Sequence, residues 1–200
     1  YQKRCLGYEL IQNLDFDSNQ DGILDENDLY WNANSSGEGL GWSPVGNSSS
    51  QFSTTFDGNN FEVRNLYINR PTQDYLGLFG QITNATIRNV SLKGSLAQVR
   101  GDDYIGALLG SGINNNSILN VSVAINLQGD DYIGGRAGIV SRDNVIKGSS
   151  NSGNITGDNY SGGLIGLASY DNVIEGSFNR GKVEGNQNVG GVVGRVSETG

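Results

Sequence analysis

One ten-residue phrase occurs twice in this chain, and its recurrence limits the folds that the chain can adopt. "GDDYIGALLG" begins at Gly101, and "GDDYIGGRAG" begins at Gly129, which is 28 residues later. Related phrases recur at nearly the same interval, and the repeats start near residues 75, 104, 132, 160 and 188. A fixed period of this size is typical of solenoids, propellers and repeat arrays.

Each period contains short segments rich in β-branched residues, separated by Gly, Asn, Asp and Ser. Short segments of this kind predict strands, and the separators predict turns. One unit cannot bury its apolar face alone, but stacked units can, with strands of successive coils about 4.8 Å apart. The sequence therefore predicts an all-β fold, a parallel β-helix (β-solenoid) with coils of about 28 residues.

The repeats divide the chain into two parts. Residues 1–74 are predicted to form an N-terminal solenoid region, and residues 75–200 the regular repeats. The N-terminal part is rich in aromatic residues, which are predicted to fill its wider coils and cap the end. The alternative is a platform on which sugar rings stack. These residues are Phe16, Tyr30, Trp31, Trp42, Phe52, Phe56, Phe61 and Tyr67.

Composition excludes several classes of partner. The net charge is −8 and there is no basic run, so nucleic acid and anionic membrane surfaces are not expected as partners. No apolar run approaches the about 20 residues of a membrane span. Cys5 is the only cysteine, which precludes an internal disulfide, and we expect it to be a small buried apolar group. The first residue is Tyr and the last coil is incomplete, which predicts that the chain is part of a longer protein.

Catalysis has little support, and we expect no enzyme activity. The chain has no His, and its single Cys has no His partner. Carboxylates do recur at one repeat position, in an acidic ladder formed by Asp102, Asp130 and Asp158. This ladder could bind a cation or a glycan, or serve a glycosidase-type reaction. The alternative, which we favour, is a hydrated corner that accepts local backbone hydrogen bonds.

The stretch "DSNQDGILDEND", residues 17–28, has the spacing of a twelve-residue calcium loop. Calcium takes about six to eight oxygen ligands, which such loops supply from positions 1, 3, 5, 7, 9 and 12, with Gly at position 6. Gly22 occupies that turn position. The candidate ligands for Ca²⁺ are Asp17, Asn19, Asp21, the backbone carbonyl of Ile23, Asp25 and Asp28. The alternative is a solvated acidic turn rich in Asx hydrogen bonds.

Position 12 of an EF-hand loop is usually Glu. Asp28 at that position resembles dockerin-type loops, and Asp25 with Asp28 resembles the acidic repeat of thrombospondin type 3. The residues before Asp17 have the pattern of a strand rather than of an entering helix. We therefore expect a structural calcium site instead of a complete EF-hand.

Two further features of the repeats carry structural predictions. An asparagine ladder of Asn116, Asn144 and Asn172 is expected to satisfy buried turn backbone. In the third copy, Arg136 and Ala137 replace the usual apolar pair. We expect the Arg136 charge to lie outside the core or at a distorted corner, because a buried charge is costly.

The phrases "GLFG" (77–80), "GLIG" (163–166) and "GVVG" (191–194) resemble the GLUG motif repeat. "YELIQNLDFD", "GWSPVG", "FDGNN" and "VRNLYI" in the N-terminal part resemble the segment that often precedes such repeats. GLUG repeats occur in large secreted or surface-attached bacterial proteins, including adhesins of the filamentous-haemagglutinin type and some surface proteases. The resemblance implies a scaffold and a secreted or cell-surface location, and it does not imply a particular activity.

Together these features predict a non-catalytic, calcium-stabilised structural or adhesive segment of a secreted or cell-surface bacterial protein. Its expected partners are neighbouring solenoid coils or other copies of itself, and surface glycans or cell-surface proteins. One alternative is a fibre subunit that joins head to tail through open solenoid edges. The other is a carbohydrate-binding or carbohydrate-active β-helix domain.

Overall fold

The fold is an all-β parallel solenoid, as the repeat predicts. A computed structural model describes residues 6–198, so the prediction for Cys5 lies outside the described residues. The strands, in chain order, are β1 (Gly7–Glu9), β2 (Leu14–Asp15), β3 (Thr55–Asp57), β4 (Glu62–Arg64), β5 (Tyr67–Asn69), β6 (Phe79–Thr83), β7 (Thr86–Arg100), β8 (Ile105–Gly106), β9 (Leu109–Ile113), β10 (Ser117–Gln128), β11 (Asp131–Gly134), β12 (Ala137–Ser141), β13 (Val145–Lys147), β14 (Ser150–Asn151), β15 (Ile155–Thr156), β16 (Asn159–Gly162), β17 (Ile165–Ser169), β18 (Val173–Glu175), β19 (Phe178–Asn179), β20 (Val183–Glu184), β21 (Gln187–Gly190) and β22 (Val193–Ser197).

The strands form three sheets that share one hydrophobic interior. A 13-stranded sheet contains β1–β5, β7, β10, β13–β15 and β18–β20; a four-stranded sheet has the order β21-β16-β11-β8, and a five-stranded sheet the order β22-β17-β12-β9-β6. All pairings between these strands are parallel, and most are offset by 28 residues, as in Ile118↔Ile146 and Ile146↔Ile174. This confirms the parallel β-solenoid and its coil length.

Alternation of apolar and polar residues determines which side chains enter the interior. Along β10, Val121, Val123, Ile125 and Leu127 are buried, whereas Ala124, Asn126 and Gln128 between them are exposed. Successive side chains of a strand point to opposite faces, so alternate residues share a face. The buried apolar residues from Val121 to Leu127 therefore all point into the coil. Pairing in register then stacks the buried set of one coil on that of the next.

The corners of the coils use left-handed backbone conformations. Tyr75, Tyr104, Tyr132 and Tyr160 all have φ between 57° and 60°, and Asn188 continues the series at 53°. A left-handed conformation is unfavourable for a bulky residue, with a cost of about 1–3 kcal/mol each. Its recurrence at one repeat position shows that the stacked coils impose it.

The first regular coil contains a local insertion. Strand β7 pairs with β10 in register up to Lys93↔Ala124 and again from Gln98↔Asn126, with a register shift between them. The extra residues lie at 94–97, and Gly94 there has φ 142°. A Cβ on Gly94 would overlap Asn65 Oδ1, so the close approach of the neighbouring coil requires Gly at this position. A bulge of this kind explains why this coil is longer than the others.

Arg136 lies inside the solenoid, so the prediction that its charge would avoid the core is wrong. Its exposed fraction is 0%, and it lies between Leu108 and Leu164 of the adjacent coils. Its guanidinium Nη2 donates hydrogen bonds to the backbone oxygens of Val121 and Ser150 across the interior. The reason is register: residue 136 falls at an inward position, and its long side chain reaches carbonyl groups that satisfy one end of the guanidinium.

At the N-terminal end of the solenoid, a cap that comprises residues 16–42 covers the edge beside β5, whereas β1 and β2 each pair on one side only. Trp42 N donates to Tyr67 O at 2.8 Å, and Asn69 N donates to Leu40 O at 3.1 Å. Gly41 forms an antiparallel bridge with Ile68, so the outer edge of β5 is already paired. This cap replaces the next parallel strand at that position, and its aromatic side chains cover the interior.

The other end of the described chain is an open edge, the last coil, which consists of β18–β22. These strands pair with the preceding coil on one side only. Apolar side chains of this coil that would be covered by another coil are exposed, namely Val173, Phe178, Val189, Val192 and Val196. The two ends of the solenoid are therefore different surfaces.

Candidate functional site: the acidic cap and the outward-facing ladders

The predicted calcium loop, residues 17–28, is an irregular segment of the cap that follows β2. Asp17 and Asp28, its first and last members, are each 7% exposed. Both oxygens of Asp17 accept backbone N–H groups, Oδ1 from Asp21 at 3.1 Å and Oδ2 from Gly22 at 3.0 Å. The carboxylate at position 1 therefore holds the turn at Gly22 closed.

The other end of the loop is fixed in the same way. Asp28 Oδ1 accepts from Ser18 N at 2.6 Å and from Ser18 Oγ at 3.1 Å, and its Oδ2 accepts from Asp25 N at 3.1 Å. Burial alone raises the pKa of Asp28, but the N–H groups of Asp25 and Ser18 outweigh it, and the pKa is lower than usual. Asp28 thus carries its negative charge in the folded loop.

The remaining candidate ligands lie toward solvent. Asp21 Oδ1 accepts from Ile23 N at 2.9 Å, and its Oδ2 accepts from Asn19 Nδ2 at 3.0 Å. Asp25 Oδ1 accepts from Asn27 N at 2.9 Å. Within residues 6–198, no group of three or more His, Cys, Asp or Glu side chains is placed so that it could hold a metal ion. The loop resembles a hydrogen-bonded Asx turn, and calcium binding stays a prediction.

The cap lies in the most acidic part of the chain. Residues 6–63 contain ten Asp and Glu residues and no Lys or Arg, so the net negative charge of the protein is concentrated at this end. The ten are Glu9, Asp15, Asp17, Asp21, Asp25, Glu26, Asp28, Glu38, Asp57 and Glu62. Self-repulsion of these carboxylates destabilises the compact state unless counter-ions reduce it.

The acidic ladder of Asp102, Asp130 and Asp158 runs along one corner of the solenoid. Its backbone is paired from coil to coil, with Asp130 N donating to Asp102 O at 2.8 Å and Asp158 N donating to Asp130 O at 2.6 Å. At its end, Asn186 Nδ2 donates to Asp158 Oδ1 at 3.0 Å. The side chains of Asp130 and Asp158 are exposed. This arrangement is a hydrated corner with paired backbone.

A second carboxylate column stands beside it. Asp103 Oδ1 accepts from Asp131 N, and Asp131 Oδ1 accepts from Asn159 N, each at 3.0 Å. Burial raises the pKa of Asp103, and the carboxylates of Asp131, Asp74 and Asp102 add to the rise. Each carboxylate therefore secures the backbone of the next coil, at the expense of repulsion within the column.

The asparagine ladder is internal. Asn116 Nδ2 donates to Asn144 Oδ1 at 2.7 Å, and Asn144 Nδ2 donates to Asn172 Oδ1 at 2.8 Å. Each amide also serves the backbone: Asn116 Oδ1 accepts from Ala85 N, and Asn144 Nδ2 donates to Ser141 O. Asn116 and Asn144 are 1% exposed, so a soluble ligand cannot reach them. The ladder holds turns together, and it is not a binding site.

Four tyrosines form a continuous stack beside the acidic ladder. The ring centroids of Tyr75, Tyr104, Tyr132 and Tyr160 are 4.6, 4.7 and 4.5 Å apart, with planes within 5° of parallel. Burial, together with the neighbouring tyrosines, raises the pKa of Tyr104 to about 12. Because the ring faces cover one another, they are unavailable for stacking on sugar rings.

The N-terminal aromatic residues are also engaged with one another. Phe16 contacts Tyr30 and Trp42, with ring centroids 5.0 and 5.6 Å away. Trp31 stacks on Tyr67 at 5.5 Å, and Trp42 Nε1 donates to Leu78 O at 2.9 Å. These contacts assign them to the cap, where they cover the end of the interior.

One surface was not predicted from the sequence, the polar groove. It has a volume of about 710 Å³ and follows the outer face of the third strand of each coil, from β5 to β20. Two columns of side chains line it. The first contains Gln98, Asn126, Asn154 and Lys182, and the second contains Asn69, Arg100, Gln128, Thr156 and Glu184. The signal that could have revealed it is a repeat position that stays polar while its identity changes.

Similarity to known proteins is confined to fragments. A provisionally named Gly-rich membrane protein of Evansella cellulosilytica is 40% identical over 89 residues, which are 44% of this chain and 10% of that protein. Halomucin of Haloquadratum walsbyi is 33% identical over 89 residues, which are 42% of this chain and 1% of that protein. The alignments thus span only small parts of these long relatives. No family model matches the chain. No solved structure matches it either.

Proposed function

We propose that this chain is a non-catalytic structural and adhesive segment of a secreted or cell-surface protein. The observation that carries the proposal is the continuity of the solenoid, in which each coil is hydrogen-bonded to the next in register. Such a stack resists bending and extends by adding coils. The GLUG-like motifs and the relative named as a membrane protein support a location at the cell surface. Within residues 6–198 there is no helix long and apolar enough to cross a membrane.

The last coil is the surface through which this segment joins a neighbour. Its strands have unpaired edges, and exposed Val173 and Val196 lie where the next coil would cover them. Unpaired strand edges are templates for pairing with another strand. The partner that fits is a further coil of the same architecture.

The cap favours a continuing stalk over the head-to-tail fibre. In such a fibre, β18 of one copy would pair with β1 of the next, which would place Glu175 beside Glu9. At the same end, the antiparallel bridge of Gly41 with Ile68 occupies the edge that the incoming coil needs. Like-charge contact and a blocked edge both oppose this junction.

Calcium is proposed to stabilise the cap through the loop 17–28. The spacing of its oxygen ligands and the negative charge of residues 6–63 support this proposal. A bound cation would offset the repulsion among the carboxylates and couple the loop to the folded state. Ligand binding to the folded state alone adds about 1.4 kcal/mol of stability at tenfold excess over Kd.

Negative-stain electron microscopy tests the stalk against the fibre. The chain is imaged in millimolar calcium and in chelator. The proposal predicts short separate particles in calcium, whereas long filaments would overturn it in favour of the fibre subunit. Filaments that dissolve in chelator would assign the junction to the cap.

Thermal unfolding with and without calcium tests the loop. Asp17→Asn removes the charge of the buried first ligand, and we expect it to abolish most of the calcium-dependent rise in Tm. Asp130→Asn in the acidic ladder is the matched control, because it removes the same charge from an exposed carboxylate, and its calcium response should equal that of the wild type. Titration calorimetry that detects no binding at millimolar calcium would refute the proposal.

A further inference from the structure

The polar groove differs from the other ladders in how its side chains are used. The side-chain amides of Asn116 and Asn144 form internal hydrogen bonds. Within the described part of the chain, the side chains of Gln98, Gln128 and Arg100 make no hydrogen bond or ion pair. The fold does not use these three side chains, whereas Asn126 and Asn154 in the same groove each accept one backbone N–H of the next coil through Oδ1.

The groove also departs from the repetition that governs the rest of the solenoid. The tyrosine stack keeps one residue from coil to coil at a structural position. In the second groove column the residue changes from Asn69 to Arg100, Gln128, Thr156 and Glu184; the first four can donate hydrogen bonds, and Glu184 can accept them. Retention of hydrogen-bonding capacity without retention of identity is typical of a surface that contacts a ligand.

The shape of the groove selects an extended ligand. It crosses five coils, so with a strand spacing of about 4.8 Å its length is about 19 Å. It lies on the face of the sheet, where backbone N–H and C=O groups are already paired between coils. A peptide therefore cannot bind here by adding a strand, since that mode requires a free edge.

Charge selects the chemical class. Lys182 Nζ is paired with Glu184 at 2.6 Å, which leaves Arg100 as the one unpaired cation among the groove residues. Asp102 and Asp130 follow Arg100 and Gln128 by two residues and bound the groove with negative charge. A polyanion such as a nucleic acid would be repelled by this border. A neutral chain with many hydroxyl groups would not be repelled.

We propose that the polar groove binds a linear, neutral polysaccharide that lies along the solenoid axis. Carboxamides both donate and accept hydrogen bonds, as sugar hydroxyls do. The coil spacing is close to the length of one pyranose unit in an extended chain. The four coils that carry Asn69, Gln98, Asn126 with Gln128, and Asn154 would therefore each present a carboxamide to one sugar. This inference does not depend on calcium binding by the cap or on the stalk.

Affinity electrophoresis tests the proposal with defined probes. The intact chain is run through native gels that contain hydroxyethyl cellulose, mannan or xylan, and through gels that contain polygalacturonate as the charged comparison. We expect retardation by at least one neutral polymer and none by polygalacturonate. Runs in calcium and in chelator separate this result from the behaviour of the cap.

Groove variants then locate the binding surface. Gln98→Ala with Gln128→Ala, and separately Arg100→Gln, should each weaken binding by about tenfold, which corresponds to about 1.4 kcal/mol. Lys147→Gln is the matched control, because it removes one exposed positive charge from β13, outside the groove, and should bind as the wild type does. Circular dichroism establishes that each variant retains its β-structure. Absence of retardation in every neutral gel, retardation by polygalacturonate alone, or equal binding by groove and control variants would overturn the proposal.

Discussion

At the scale of single residues, Arg136 is the clearest conflict between local chemistry and position. Its Nε and Nη1 have no hydrogen-bond partner although they are fully buried, and burial lowers its pKa to about 9. Each unsatisfied buried donor costs about 1–3 kcal/mol. The two carbonyls that Nη2 contacts offset only part of this cost.

Arg136→Leu should therefore stabilise the protein. Leu108 and Leu164 occupy the same position in the adjacent coils, so the replacement fits the column. Exchange of a buried ionic group for an apolar one of similar volume is neutral or stabilising by about 1–4 kcal/mol. Urea unfolding at pH 7 measures the change. Leu164→Arg is the reciprocal control and should destabilise. A lower midpoint for Arg136→Leu would mean that the two carbonyl contacts outweigh the burial cost.

The pKa of Arg136 also predicts a pH dependence. Because the pKa is lower in the folded state than in the unfolded chain, protonation favours unfolding. The penalty is fully present below about pH 9 and is relieved as the pH rises above that value. The free-energy advantage of Arg136→Leu should shrink over this range in matched unfolding curves. An advantage that stays constant would show that Arg136 keeps its proton in the folded interior over this range.

The raised pKa of Asp103 predicts a dependence of stability on pH in the acidic range. Its pKa is raised by burial and by the neighbouring carboxylates, so its charged form is disfavoured in the folded state. Asp103→Asn keeps an oxygen for the N–H of Asp131 and removes one charge, and we expect a gain of about 0.5 kcal/mol at pH 7. The gain should disappear as the pH falls through the pKa of Asp103. Equal stability of the two proteins at pH 7 would contradict this account of the column.

At the scale of elements, the ladders explain why short strands are stable. A two-residue strand such as β14 has little stability alone, but it is paired with β10 on one side and β19 on the other. The period of 28 residues predicts these pairings, because residues one period apart must stack. It does not predict the bulge at 94–97 or the antiparallel cap, because both depend on contacts between segments that do not repeat. The burial of Arg136 does follow from its repeat position, which Leu108 and Leu164 share, and the expectation drawn from its charge was wrong.

The asparagine ladder can be tested with one substitution at two positions. Asn144→Asp should destabilise by about 2 kcal/mol, since its Nδ2 donates to Ser141 O and Asn172 Oδ1 and a carboxylate cannot donate. Asn154→Asp is the control, because Asn154 uses only Oδ1, as the acceptor for Lys182 N. Thermal unfolding measures the change in Tm that each of the two variants causes. Similar losses at the two sites would refute the role of the internal ladder.

The tyrosine stack predicts that two substitutions of Tyr132 differ in their effect on stability. Tyr132 lies between Tyr104 and Tyr160, so Tyr132→Ala removes two ring contacts worth together about 2 kcal/mol. Tyr132→Asn removes the same contacts, but Asn tolerates a positive φ and occupies this repeat position at Asn188. The Asn variant should therefore be the more stable of the two in urea unfolding. The reverse order would show that backbone strain at the corner is unimportant.

At the scale of the whole molecule, the two ends and the long faces have separate roles. The acidic cap covers the β5 edge at one end, the last coil leaves the other end open, and the polar groove runs between the two ends. The solenoid and its coil length follow from the sequence, since they depend on a repeated pattern. The calcium loop is visible only as a pattern of ligand types. The groove was not predicted, because its residues share polarity without sharing identity, and a repeat position that stays polar is its only signal in the sequence.

Hydrogen–deuterium exchange measured by mass spectrometry tests for a parallel solenoid whose β5 edge is capped and whose last coil is open. The account predicts slow exchange in β9–β17, where each coil is paired on both sides, and faster exchange in β18–β22, where one side is free. Peptides that cover β5 and residues 40–42 should be as protected as the central coils. Uniform exchange along the chain, or rapid exchange in β5 together with protected β18–β22, would contradict the account.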